Sequence, residues 1–161
     1  MIAVKQKIID SLIADLTHER DVLSRAAETA HAEATHPEAK PENRYDTRSL
    51  EASYLAGAQQ ARVEELTAKI EIIRSMTLHP FSRTDQIAPS ALVQLESDGK
   101  ILEYFLTAWV SGYTYKIDSR EIKVVSAQSP FGAALNGRTV GESMTFRVAN
   151  QDKEFEILNI I

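Results

Sequence analysis

Cysteine is absent from this chain of 161 residues. Disulfide bridges, zinc ribbons and thiol nucleophiles are therefore excluded. No apolar run reaches the length of a membrane span, so no bilayer crossing is expected. The N-terminus lacks the basic stretch and apolar block of a signal peptide, so a soluble, cytoplasmic protein is the expectation. Positive charge is in deficit, with 18 Lys and Arg against 23 Asp and Glu and a net charge of -5. A protein that grips nucleic acid over a broad surface would be basic; one that works beside nucleic acid inside a larger basic machine need not be. Aromatic residues are only 7% of the chain. A helical part with a narrow seam explains that figure, whereas one large globular core does not. There is no internal repeat, no Ser-His-Asp arrangement and no phosphate-cradling glycine loop.

What the chain does have is a heptad pattern. From Ile9 onward, Ile9, Leu12, Leu16, Glu19, Leu23, Ala26 and Ala30 alternate by three and four. A second run follows with Ala52, Ala56, Gln59, Val63, Leu66, Ile70 and Ile73. Two such seams joined by a polar link predict an antiparallel coiled-coil hairpin over residues 1–78, with its tip near 36–48. Large aliphatic residues occupy the seam far from the tip, and alanine takes over towards it, so the tip should be thin. An arm of roughly 35 residues at about 1.5 Å each is on the order of 50 Å long. Such length suits a probe that enters something.

The period changes after Pro80, which ends the second helix because proline disfavours helix in the residue before it. Residues 79–89 read as a linker and 90–161 as a small antiparallel domain, making the fold class α+β. Ala91–Leu95 and Ile101–Val110 are predicted strands around a Ser97-Asp98-Gly99-Lys100 turn. Shorter strands are expected at 113–117 and 122–125, with stronger ones at 144–149 and 154–161. A helix fits Ser129–Leu135, with Pro130 in its first turn and Gly137 just past its end. Tyr104, Phe105 and Trp109 are expected in the core, and Phe131 either in the core or on a docking surface.

The predicted tip is crowded with charge: Glu38, Glu42, Arg44, Asp46, Arg48 and Glu51. A plain connection between helices needs only a few polar residues. Glu42 and Asp46 stand one helical turn apart and would share a face. The plainer reading is helix-start chemistry, with Asp46 as an N-cap and acids favoured by the helix dipole. Arg44 and Arg48 either bind an acidic or phosphate partner or form a solvated face. Tyr45 either stacks on a base or packs across the hairpin. His31 and His36 have no well-spaced third ligand, so no metal is expected in the isolated protein.

The segment VSAQSPFGAALNGRTVGESMTFR, residues 125–147, resembles the C-terminal domain of the Gre transcript cleavage factors, which act in bacterial transcription elongation. The shared pattern falls on Ser129, Pro130, Phe131, Gly132, Ala134, Leu135, Gly137, Arg138, Val140, Gly141 and Glu142. Asn136 replaces an apolar residue of that pattern. The resemblance implies an FKBP-like C-terminal domain, without prolyl isomerase activity, that docks on RNA polymerase at the mouth of its secondary channel. It implies that the hairpin passes down the channel and that tip carboxylates help the polymerase hold a second Mg2+ in its active site. The factor would have no cofactor of its own, would contact nascent RNA only indirectly, and is expected to be a monomer and not itself an enzyme. Glu42-Asn43 matches the family's Glu-Asn pair, while Ala39 stands where the family has aspartate. Glu42 and Asp46 are therefore the candidate tip acids, with Arg44, Arg48, Ser129, Pro130 and Phe131 as candidate partner contacts. Three functions follow: stimulation of RNA cleavage, channel binding that regulates or inhibits without cleavage, and an FKBP-like module whose coiled coil self-associates. The alanine-rich seam near the charged tip argues against the last.

Overall fold

The computed structural model of the chain describes residues 2–35 and 48–161. Helix α1 covers Ile2–Thr35 and helix α2 Arg48–Arg74. The remainder forms β1 (Leu92–Ser97), β2 (Lys100–Thr107), β3 (Thr114–Ile117), β4 (Arg120–Ser126), α3 (Pro130–Leu135), β5 (Ser143–Val148) and β6 (Gln151–Ile160). The chain divides into two compact units, one of Met1–Leu12 with Ile72–Ile161 and the other of Ile13–Glu71.

The first unit is built on a six-stranded sheet in the order β3-β4-β2-β1-β6-β5. Its strands pair antiparallel except for β2 and β4, which are parallel. The exception arises because β3 takes the sheet edge, and its hairpin partner β4 then fills the place beside β2. Three tight turns join the hairpins, and each has two successive residues at positive φ: Asp98-Gly99, Asp118-Ser119 and Ala149-Asn150. That backbone matches the right-handed twist of paired strands, and the Glu96 carboxylate braces the first turn by accepting from Gly99 N–H at 2.7 Å.

Both faces of the sheet are buried over its centre. Val93, Leu95, Leu106 and Ile157 belong to the core cluster on which Leu135 of α3 sits. On β4 the alternate residues Ile122 and Val124 are buried with Glu121 and Lys123 exposed. Tyr104 and Phe105 are buried as expected, but Trp109 is 57% exposed. The second strand stops at Thr107, two residues before the tryptophan. The Thr107 hydroxyl donates to Val110 C=O and accepts from Val110 N–H, which closes a tight loop and leaves residues 108–109 outside the ladder.

Segment 79–89 is tied to the sheet unit. Ile87 is fully buried, its N–H donates to Arg138 C=O at 2.8 Å, and its carbonyl accepts from Gly137 N–H at 2.7 Å.

The second unit consists of the α1 and α2 portions between Ile13 and Glu71. Glu19 meets Arg62 at 3.3 Å, and residues 24–31 share a groove with residues 53–60. Advancing along one helix therefore means retreating along the other, which is the antiparallel arrangement expected. Leu16, Leu66 and Ile70 are buried, while Leu23, Ala26, Ala30, Ala56 and Val63 are only partly so. The one buried alanine of this α1 portion is Ala27, not the expected Ala26. About three turns of an unstrained helix separate Leu16 from Ala27, so the seam drifts off a strict heptad as a straight helix does.

Candidate functional site

The tip acids Glu42 and Asp46, together with Arg44, lie outside the described residues. Arg48 is the first residue of α2, and its side chain lies outside the described part as well. The helices that flank these residues carry a charge lattice. Arg62 bridges Glu19 and Glu65, and Glu65 also meets Lys69 at 2.6 Å. Those two cations hold the exposed Glu65 carboxyl below the usual carboxylate range. Closer to the turn the helix surfaces are apolar but uncovered: Leu50, Tyr54 and Leu55 on α2 and Val22 on α1 are all exposed. Between the helices a groove of about 540 Å³ is lined by Ala27, Ala56 and Gly57 with Ser24, Ser53 and His31. Small side chains leave that space because they do not reach across the seam. Among the described residues no group of His, Cys, Asp or Glu is placed to hold a metal ion, and no helix is long and apolar enough to cross a membrane.

The C-terminal motif is fully described. Ser129 is the N-cap of α3: its hydroxyl accepts from Gly132 N–H at 3.1 Å and donates to Ser126 C=O at 2.7 Å. Pro130 occupies the first turn, where its missing N–H costs nothing, and is exposed. Phe131 is partly buried, and its ring meets Tyr104, Phe146 and Phe155 at centroid distances of 4.8, 5.1 and 5.2 Å. Gly132 lies so close to β4 that an added Cβ would stand 2.0 Å from the Ser126 carbonyl oxygen. Arg138 donates to Ala134 C=O at 2.7 Å. Glu142 accepts from both the backbone and the hydroxyl of Thr139, which holds its carboxyl below the usual range. Nearly every motif residue therefore seats α3 or shapes the loop into β5. Of the three proposed partner contacts here, Pro130 presents the most open surface, while Ser129 and Phe131 also serve the fold.

Two features have no counterpart in the sequence reading. Lys5 is almost wholly buried, yet its ammonium donates to His79 C=O at 2.7 Å and lies 4.7 Å from the Phe81 ring centroid. Burial lowers its pKa to about 8. The only available signal was the position of Lys5, one helical turn before the buried Ile8 and Ile9. The second is a hollow on the sheet face beside α3, lined by Lys100, Lys123 and Lys153. The alternation of Lys100, Leu102 and Tyr104 along β2 marks those residues as sharing a face, but not that strands from elsewhere bring further lysines to it.

Residues 82–161 match the family described as transcription elongation factor, GreA/GreB, C-term. The chain is 33% identical over 112 residues to transcription elongation factor GreA of Prosthecochloris aestuarii, covering 65% of this chain and 66% of the relative. The matched stretch is thus just under two thirds of that relative's length. Among solved structures, the chain is similar to GreA factor homolog 1 (Gfh1) of Thermus thermophilus, with 22% identity, a TM-score of 0.39, and coverage of 95% of this chain and 94% of that one. Gfh1 of Thermus aquaticus is similar at 20% identity and the same TM-score, over 94% and 92% of the two chains.

Proposed function

This chain belongs to the GreA/GreB family of transcription elongation factors, and on that premise we propose that it binds bacterial RNA polymerase at the secondary channel and stimulates cleavage of backtracked RNA. The observation that carries this reading is the family match over residues 82–161, joined to a relative that is itself an elongation factor. In this proposal the polymerase performs the chemistry and the factor, a cytoplasmic monomer, supplies groups to its active site. Glu42 and Asp46 offer hard carboxylate oxygens, the donor type that Mg2+ takes while keeping several waters. A second Mg2+ so held acidifies a water for attack on the RNA phosphodiester. Arg44 and Arg48 hold phosphate or polymerase acids beside that centre, and the surface around Ser129, Pro130 and Phe131 docks at the channel mouth.

A second reading rests on Ala39, which stands where an aspartate would complete the family's acidic pair. It makes the chain a channel-binding regulator that obstructs or retunes the polymerase without cleavage. One assay separates the two. The protein and a Glu42→Ala, Asp46→Ala variant are added to stalled, backtracked elongation complexes, and RNA length is followed. Shortened RNA with the unmodified protein, lost with the variant, is the expected result. Binding without shortening, accompanied by altered initiation, establishes the second reading. Absence of polymerase binding overturns both.

A further inference from the structure

The six residues of α3 are too few to cover one face of a six-stranded sheet. Phe131 sits on Tyr104 and Phe155, and beyond those two rings, towards the β1–β2 turn, the face lies open. The result is a hollow of about 250 Å³. Its floor is apolar, formed by Leu102, Tyr104 and Phe155, and its walls carry Lys100, Lys123 and Lys153. The strand register explains why three lysines converge. Lys100 and Tyr104 share a face of β2 by alternation, Lys123 of β4 lies opposite Tyr104, and Lys153 shares a face of β6 with Phe155.

The charges do not balance. Asp98 is the only carboxylate lining the hollow, and Lys153 already holds it at 2.7 Å. Neither Lys100 nor Lys123 makes an ion pair among the described residues. In a chain of net charge -5, this local excess of positive charge has no structural role in the sheet. Tyr104 adds a further donor. It is nine-tenths buried, its ring lines the hollow, and no described residue hydrogen-bonds its hydroxyl.

We propose that this hollow binds a compact phosphoryl anion, a diphosphate group either free or at the end of a nucleotide, through Lys100, Lys123 and the Tyr104 hydroxyl. Lysine binds phosphate as a point charge with three donors, and an apolar floor strengthens each charge interaction by excluding water. The volume suits a diphosphate and is small for a whole nucleotide, whose sugar and base would project outward. A single carboxylate would satisfy fewer of these donors than a phosphoryl group with several oxygens.

The test is calorimetric titration of the full chain, in metal-free buffer at low salt, with inorganic diphosphate, with adenosine diphosphate, and with an oligoglutamate peptide. Diphosphate is expected to bind, to weaken as salt rises, and to lose at least about tenfold in affinity in a Lys100→Gln, Lys123→Gln variant. Tyr104→Phe should lose a few-fold while keeping the melting temperature. Equal affinity for the nucleotide means that the phosphoryl group alone is read; tighter binding means that the base or sugar adds contacts at the rim. Both results support the site. No binding of diphosphate, binding unchanged by the double substitution, or tighter binding of oligoglutamate than of diphosphate overturns the proposal, the last assigning the hollow to an acidic protein segment. The lysines are exposed, so the variant is expected to fold, which an unchanged circular dichroism melt verifies.

Discussion

Gly132 shows how much one position in the motif decides. Its Cα faces the Ser126 backbone, and a Cβ would stand 2.0 Å from that carbonyl oxygen and 2.7 Å from its carbon. Backbone cannot swing aside as a flexible side chain can, so Gly132→Ala must lift α3 off β4. A loss of about 1–3 kcal/mol is expected, as for overpacking elsewhere, read as a lower urea midpoint. The neighbouring cap is worth less: Ser129→Ala should cost about 1 kcal/mol. Lys5 makes a different kind of prediction. The unfolded chain keeps its ammonium proton up to the ordinary 10.5, and the folded chain only to about 8. Between those values the unfolded state binds more protons, so the Lys5 contribution to stability rises with pH. Wild type is expected to gain on Lys5→Met between pH 7.5 and 10, because methionine carries no titrating group. Urea midpoints measured for both proteins across that range check it, and a constant gap would refute it.

At the scale of elements, local chemistry was legible and strand order was not. The Asp98-Gly99 turn, the Pro130 start and Gly137 stop of α3, and both helical seams are written in neighbouring residues, and each element formed within a few positions of its expectation. Trp109 was misread because the residue that ends β2 is Thr107, whose hydroxyl folds onto Val110; a threonine in a strand looks the same whether or not it does so. The parallel pairing of β2 with β4 depends on which strand takes the edge, which no local pattern records. For the candidate site, the charges of the tip were readable, but not whether Glu42 and Asp46 share a face in space. The lysines of the hollow come from three strands far apart in sequence and meet only through the register. Within the hairpin, Gln59 was marked as the polar member of its seam, and its side-chain oxygen is buried without a hydrogen-bond partner. An unsatisfied buried acceptor costs about 1–3 kcal/mol, so Gln59→Leu should raise the stability of the helical unit by about that much. A polar seam residue also fixes register and oligomeric state at the expense of stability. Sedimentation of the variant should therefore show new association if Gln59 keeps the wild type monomeric.

Across the whole molecule, the units do not follow the order of the chain. The sheet-bearing unit takes in the first twelve residues as well as everything after Glu71. Those residues are not a loose leader to it. Ile8 and Leu12 have no exposed surface and Ile9 only 5%. Lys5 reaches the His79 carbonyl, and Lys7 holds Asp118 in the β3–β4 turn at 2.7 Å. The exposed Lys7 pair adds little, so the attachment rests on the aliphatic side chains. Full burial of each contributes roughly 1.5–3 kcal/mol. Removing residues 1–12 should therefore destabilise the sheet by several kcal/mol, even though every strand remains. A family match confined to residues 82–161 gives no hint of this dependence. Hydrogen exchange of the β2 and β6 amides distinguishes the cases. Faster exchange in the deletion than in the full chain is expected, and a Lys7→Ala variant should exchange like wild type. Unchanged protection in the deletion would mean that residues 72–161 are self-sufficient and that α1 only rests against them.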